Sequence, residues 1–329
     1  MQAREASRHG TMRVLVTGGN GFVGRPLVRL LYRTHTVHVI DSLRCGPFRF
    51  RESERASFTF HQADIRDRTV VRNILAEVRP DVIVHVAAIH FIPECEANPE
   101  LAVSTNVHGT ANLLAHCPPG CRFVFASSAA VYRPSAQALC EEASATHPID
   151  VYGLTKVHAE DYVRYLARQR GFPAVIARLF NVVGPGETNP HVLPEIIAQL
   201  KAGRSRLRLG NTTSKRDFIH VSDAAAGFAA LATAGEVAPG ESVTVNLGTG
   251  RAYSIGEVLA LLADITEREI AVDHDESRMR TSDNPLLLAG IEKAWRLFQW
   301  RPAYDLGAAL RDTWRDPDLP DFLRRRYQE

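Results

Sequence analysis

One junction near the start of the chain restricts the fold more than any other feature. A largely apolar, β-branched run from Met12 to Val16 passes directly into Thr17-Gly18-Gly19-Asn20-Gly21-Phe22-Val23-Gly24, and a helical stretch follows from Arg25 to Tyr32. A short apolar run of this kind reads as a buried strand. Gly18, Gly21 and Gly24 then have separate tasks: one permits the tight turn, one lets backbone approach a pyrophosphate, and one lets helix pack on strand. The unpaired amides of the helix N-terminus suit a diphosphate. A second strand, Thr36 to Ile40, ends on Asp41, 23 residues after Gly18. A carboxylate there can bind the adenosine ribose hydroxyls and repels a 2′-phosphate. Strand, turn, helix and acid together predict a dinucleotide site that prefers NAD. Arg44 keeps NADP as the alternative.

Strand and helix go on alternating. Strands are expected at Phe58–Phe60, Asp81–Ala87, Arg122–Ala126 and Val175–Leu179, with helices around 68–78, 100–116 and 152–170. That rhythm predicts a parallel sheet covered on both faces. After about residue 180 it changes. Pro185, Gly186, Pro190 and Pro194 break up a loop, and short strands near 206–209, 217–221 and 243–246 interleave with helices at 194–202, 222–233 and 254–265. The expected division is a disordered polar tail (1–10) without the apolar stretch of a signal peptide, a nucleotide-binding domain (11–180) and a smaller lobe (181–329). A chain of 329 residues is long enough to give both lobes a core.

Composition removes several function classes. The net charge is +2 and the arginines are scattered, so nothing supports nucleic-acid binding. No apolar run reaches the length of a membrane span. Cys45, Cys95, Cys117, Cys121 and Cys140 are odd in number and form no CxxC pair, which fits free thiols in a reducing cytoplasm. The 13 histidines form no HExxH motif and no Cys/His cluster, so no metal site is expected.

Chemistry concentrates at Ser128, Tyr152 and Lys156. Tyr152-Gly153-Leu154-Thr155-Lys156 places a phenol and an ammonium one helical turn apart on one face. Only four of the 39 basic residues are lysines, and Lys156 is the first. An ammonium beside a phenol favours the phenolate and makes tyrosine usable as an acid or base near neutral pH. Ser128 ends a strand at the carboxyl edge, where ligands bind in such sheets.

Taken with Asp64-Ile65, His85-Val86-Ala87-Ala88, Asn106, Ser127 to Tyr132, Arg178 to Asn181, Arg216-Asp217-Phe218 and Asn246 to Gly250, these motifs resemble the extended short-chain dehydrogenase/reductase superfamily, in its NAD-dependent nucleotide-sugar epimerase/dehydratase branch. The resemblance runs from about Met12 to Trp314. It implies a Rossmann-type, doubly wound α/β sheet with a smaller C-terminal α/β substrate lobe, and NAD as cofactor. It implies that Asp64 and Ile65 hold the adenine, that Phe22 and Val23 lie by the diphosphate, and that Ala87 and Ala88 run along the cofactor. Asn106 would support the helix lining the site. Ser128 would hydrogen-bond the sugar, Tyr152 would take and return its proton, and Lys156 would bind the nicotinamide ribose and lower the Tyr152 pKa. Asn181, Arg216, Arg280 and Asp283 would hold a nucleoside diphosphate, with charge-assisted donors suited to that group. His90 is expected to contact the hexose, with a loop histidine satisfied by backbone as the alternative.

Dehydratases of the family carry an acid two or three positions before the strand-end tyrosine. Here those positions are Ala130 and Ala129, which points to 4-epimerisation rather than to 4,6-dehydration or decarboxylation; the resemblance makes a UDP-hexose the default substrate. The run Arg278 to Asp283, with Trp300-Arg301-Pro302 and the short loop from Gly184 to Pro194, also resembles enzymes of GDP-sugars, so a 4-ketosugar reductase is the alternative. A non-catalytic dinucleotide sensor is a more distant one. Arg133 and Val151 stand where the family usually has glycine and proline. Relatives pair the helices near 100–116 and 152–170, so a homodimer is expected through Leu113, Leu114, Val157, Tyr162, Val163 and Leu166.

Overall fold

A computed structural model describes residues 10–141, 143–276 and 284–316. Arg280, Asp283 and the 1–9 part of the tail lie outside them. The first lobe runs β1 (Arg13–Thr17), α1 (Gly24–Leu31), β2 (Thr36–Asp41), β3 (Thr59–Gln62), α2 (Arg68–Val78), β4 (Val82–His85), α3 (Ile92–Ala97), α4 (Pro99–Val103), α5 (Gly109–His116), β5 (Arg122–Ser128), α6 (Val151–Arg170) and β6 (Ala174–Leu179). A single π-turn, Ser104–His108, joins α4 to α5. The chain continues through β7 (Asn181–Val183), α7 (Val192–Lys201), β8 (Arg206–Leu209), β9 (Lys215–His220), α8 (Val221–Thr233), β10 (Ser242–Leu247), β11 (Ala252–Ser254), α9 (Ile255–Thr266), β12 (Ala271–His274), β13 (Leu286–Leu287), α10 (Glu292–Phe298) and α11 (Leu306–Arg315).

Seven strands form one parallel sheet in the order β10-β6-β5-β4-β1-β2-β3. The alternation of strand side chains divides its core in two. Val14, Val16, Val82, Val84, Val124, Ala126, Val175 and Ala177 face one way, against α1 and α8. Leu15, Ile83, Phe123, Phe125 and Ile176 face the other, against α2, α5 and α6. Strands buried on both faces in this way read as continuous apolar runs.

The expected boundary at residue 180 is crossed by the chain. The predicted strand at 243–246 is β10, and it pairs with β6 at the edge of the main sheet rather than joining the second lobe. The reason is visible in α8, whose Ala224, Ala225, Phe228, Leu231 and Ala232 complete the layer that α1 begins. Phe298, which ends α10, and Trp300 just beyond it join the same layer. The second lobe proper is a smaller core of Leu193, Ile196, Leu207, Phe218, Val258 and Leu310 with their neighbours on α7, β8, β9, α9 and α11.

Candidate active site

The carboxyl ends of the central strands open on a cavity of about 690 Å³ shared by both lobes, within the size range of ligand sites. The glycine turn forms its floor. Gly18 has φ 73°, and a Cβ there would lie 2.7 Å from Ala87 Cα and N. A Cβ on Gly24 would lie 2.1 Å from Gly18 O, so α1 sits directly on the turn. Val23 caps α1 with no side-chain bond, and Gly21, Phe22 and Val23 line the cavity. Such a helix start offers its amides to a diphosphate.

Asp41 accepts hydrogen bonds from the Asn20 and Leu43 amides (2.9 and 2.8 Å). Burial raises its pKa, and the two amides hold the carboxylate at the cavity edge. Arg44, the feature that kept a 2′-phosphate open, is paired with Glu94. Asp64 is gripped by the Arg66 guanidinium at 2.6 Å, and that bond lowers its pKa. Ile65 packs under Gly109, where a Cβ would meet it at 2.7 Å. Ala87 and Ala88 follow β4 along the cavity. Beneath them a buried chain runs from Thr17 Oγ1 to His85 Nδ1 (2.6 Å) and from His85 Nε2 to Thr110 Oγ1 (2.9 Å). Asn106, in the π-turn, exchanges two 2.8 Å bonds with the Ile89 backbone and donates to Thr155 Oγ1. It thereby ties the β4 loop to α6, where Tyr152 and Lys156 reside. The conformation-bound glycines, the bare helix start and the fixed carboxylates fit a dinucleotide.

Ser128, Tyr152 and Lys156 line the same cavity. Ser128 ends β5, and its hydroxyl accepts from the Ala130 amide at 3.1 Å and lies in hydrogen-bond reach of the Tyr152 phenol. The Lys156 ammonium donates to Ala126 O at 2.8 Å and sits 5.7 Å from the Tyr152 ring centre. Gly153 makes this approach possible, since a Cβ there would lie 2.4 Å from Ala130 O. Asp150 caps α6 by accepting from the Gly153 amide at 2.7 Å. Val151, which replaces a proline, uses its amide to donate to Glu96 (2.8 Å), a bond proline cannot make. Arg133 follows Tyr132 without the left-handed backbone that would require glycine.

One electrostatic expectation is corrected. Tyr152 is pushed above the ordinary phenol value by burial, although the bond from Ser128 pulls the other way. Lys156 is itself brought down to about 7, again by burial. Desolvation penalises both charged forms and sets the direction of both shifts. A lysine whose folded value lies below its ordinary 10.5 binds more protons unfolded than folded between those values. The stability of the cofactor-free protein should therefore rise with pH above about 7, by about 2 kcal/mol up to pH 9 from this group. Urea melts at the two pH values check this, and Lys156→Met should flatten the rise.

On the substrate side, Asn181, Arg216 and His90 line the cavity. Arg216 donates to Asn284 O at 2.6 Å. Ala129 and Ala130 form a tight turn with no carboxylate at the expected acid positions. Two residues that sequence reasoning missed are Glu187 and His191. The loop between β7 and α7 brings them to His90, their ligand-type atoms lying within 4.8 Å of one another. The expectation of no metal site rested on spacing along the chain, and 97 residues separate His90 from Glu187. Only the placement of a glutamate and a histidine in a proline-broken loop hinted at them.

Three comparisons bear on this architecture. The model of the NAD dependent epimerase/dehydratase family matches residues 14–248. The UDP-glucose 4-epimerase of Rhizobium meliloti is 30% identical over 320 residues, covering 92% of this chain and 95% of that one. The GDP-6-deoxy-D-mannose reductase of Pseudomonas aeruginosa is 27% identical, covering 92% and 95%. A UDP-glucose-4-epimerase structure from Stenotrophomonas maltophila, with bound NAD and formylated UDP-arabinopyranose, superposes with a TM-score of 0.80 at 29% identity, covering 92% and 97%. The chain belongs to the NAD-dependent epimerase/dehydratase family, and its cofactor is NAD. Among the described residues no helix is long and apolar enough to cross a membrane.

Proposed function

We propose that the protein is a nucleotide-sugar 4-epimerase that oxidises C4 of a UDP-hexose to a ketone and restores it with the opposite configuration. The observation that carries this is the meeting of Ser128, Tyr152 and Lys156 in one cavity with the glycine turn, while Ala129 and Ala130 leave the dehydratase acid positions empty of carboxylate. The hydride acceptor and donor for this chemistry would be supplied by NAD. Gly18, Gly21, Phe22, Val23 and Gly24 bind its diphosphate, Asp41 its adenosine ribose, Asp64 and Ile65 its adenine. Tyr152 takes the C4 hydroxyl proton and gives it back. Ser128 orients that oxygen through its hydroxyl. Lys156, already donating to Ala126 O, turns its remaining protons to the nicotinamide ribose. Asn181 and Arg216 in the second lobe hold the nucleoside diphosphate.

The test is incubation with UDP-glucose and with UDP-N-acetylglucosamine, without added nicotinamide, followed by chromatography of the sugars. Conversion to the C4 epimer with no net reduced cofactor is the expected result. The match to a GDP-6-deoxy-D-mannose reductase supports a second reading, reduction of a 4-ketosugar nucleotide. That reading requires stoichiometric consumption of reduced cofactor and no epimer.

A homodimer through α4–α5 and α6 belongs to this proposal, with a changed set of residues. Leu113, Leu114 and Val163 are fully buried in the protein's own core rather than presented to a partner. The apolar residues those helices do expose are Val103 (48%), Leu154 (47%), Tyr162 (47%) and Tyr165 (63%). Leu154, Tyr162 and Tyr165 recur at helical spacing on one face. A Tyr162→Glu/Tyr165→Glu variant should halve the mass measured by light scattering and leave the melting temperature within a few degrees. An unchanged mass removes this interface.

A further inference from the structure

We propose that His90, Glu187 and His191 form a binding site for one divalent cation of the zinc type, open toward the cavity. The three ligand atoms lie within 4.8 Å of one another. Two imidazoles and one carboxylate suit Zn²⁺ or Co²⁺, and three protein ligands leave at least one position for an oxygen of a bound molecule. Hydrogen bonds hold two of the ligands, His90 and Glu187, in place. His90 is hydrogen-bonded to the Ala88 backbone, and its Nε2 meets the Asn189 side-chain amide at 3.2 Å, a contact that an ion at Nε2 would displace. A histidine that ligates through one nitrogen while a carbonyl fixes the other has its tautomer and orientation set in advance. Glu187 is 8% exposed. Its Oε1 accepts from the Thr188 and Asn189 amides (2.7 and 3.2 Å), which leaves Oε2 for an ion. His191 starts α7, and its ring lies edge-on to Phe91 and 5.7 Å from His90, centre to centre. The loop is anchored as well, since Gly186 is bonded by Arg25, Arg49 and Asp316. The set is drawn from both lobes, with Glu187 buried and the two histidines half-buried, and is not a patch of surface acids. Ligand distances of about 2.0–2.1 Å set tetrahedral edges of about 3.4 Å, so the widest separation in the set closes by about 1.4 Å when an ion binds.

The site stands apart from the reaction proposed above, because binding of the ion can be read with no sugar present. The experiment is calorimetric titration of the NAD-loaded protein with Zn²⁺ alone, with metal content measured after dialysis and the absorption spectrum of the Co²⁺ form recorded. One equivalent should bind, with the visible bands of a four- or five-coordinate Co²⁺. Glu187→Gln and His191→Ala should each weaken binding by at least about 100-fold while keeping NAD and the parent melting temperature. His61→Ala, which breaks another imidazole pair (His38 to His61, 3.3 Å), should leave binding unchanged. The proposal is overturned if no equivalent binds, if both cluster variants bind like the parent, or if binding follows His61 instead. Should either cluster variant fold poorly, His90→Gln with the Co²⁺ spectrum decides: bands identical to the parent's exclude His90 as a ligand.

Discussion

Tyr152→Phe should lower kcat roughly 1,000-fold and leave NAD affinity within about twofold. The loss is of the size expected when a positioned acid/base group is removed. Affinity should hold because the proposed dinucleotide contacts lie elsewhere, at the turn Gly18–Gly24 and at Asp41 and Asp64. The phenylalanine ring fits the space of the tyrosine ring, which packs with Val151 around Ile89 and Cys95. The fold should persist, since Thr155 and Asn106 anchor this part of α6 through backbone and side-chain bonds that the phenol does not share. Steady-state turnover and fluorescence titration with NAD measure the two quantities separately. Full turnover in the variant would dismiss Tyr152 as the proton carrier. Loss of both quantities would point to a structural role instead.

The largest effect on stability is expected two turns further along α6. Glu160 is 1% exposed and sits below the sheet end that carries the site. It accepts from Ser127 Oγ (2.6 Å), from Arg178 Nε and Nη2 (2.9 and 2.8 Å) and from Arg164 (2.6 Å). Burial opposes its charge, but these bonds more than offset it and hold its pKa below the ordinary value. Arg178 stacks over Tyr132 at 4.6 Å, and the Tyr132 hydroxyl donates to Asn246 at 2.7 Å on β10. The network thus joins α6, β5, β6 and β10. Glu160→Ala leaves Arg178 buried without its counter-charge and should remove about 3–5 kcal/mol, read by urea denaturation. A Glu160→Met/Arg178→Met double variant should lose clearly less than the sum of the single changes. Because the folded pKa of Glu160 is depressed, its contribution is whole above 4.5 and is lost as pH falls through the lower folded value. The parent should therefore show a steeper acid transition than Glu160→Ala.

Local signals carried much of this architecture. Strand β1, the glycine turn and Asp41 stand where apolar runs and turn residues put them, and α2 begins and ends as its periodicity indicates. Ser128, Tyr152 and Lys156 were legible because a strand end and a helical spacing each have a short sequence signature. Long-range placement was not legible. That β10 leaves its neighbours in sequence to pair with β6 depends on α8 covering the sheet, which no local pattern encodes. Leu113, Leu114 and Val163 were apolar at helical spacing, yet which face turns inward is decided by Phe123 and Phe172 beneath them. The meeting of His90 with Glu187 and His191 depends on how two distant loops close over one cavity. The Tyr152 and Lys156 pKa values depend on burial, a property of the folded whole.

Because the polypeptide passes back and forth between its two lobes, no single cut frees either one. Severing the chain after β6 strips the sheet of an edge strand, removes α8 and lays bare Val124, Val175 and Ala177, a surface that would recruit other molecules. The catalytic half is consequently not a portable module. It should unfold together with the rest of the molecule, and any transplant of its specificity has to move side chains rather than segments.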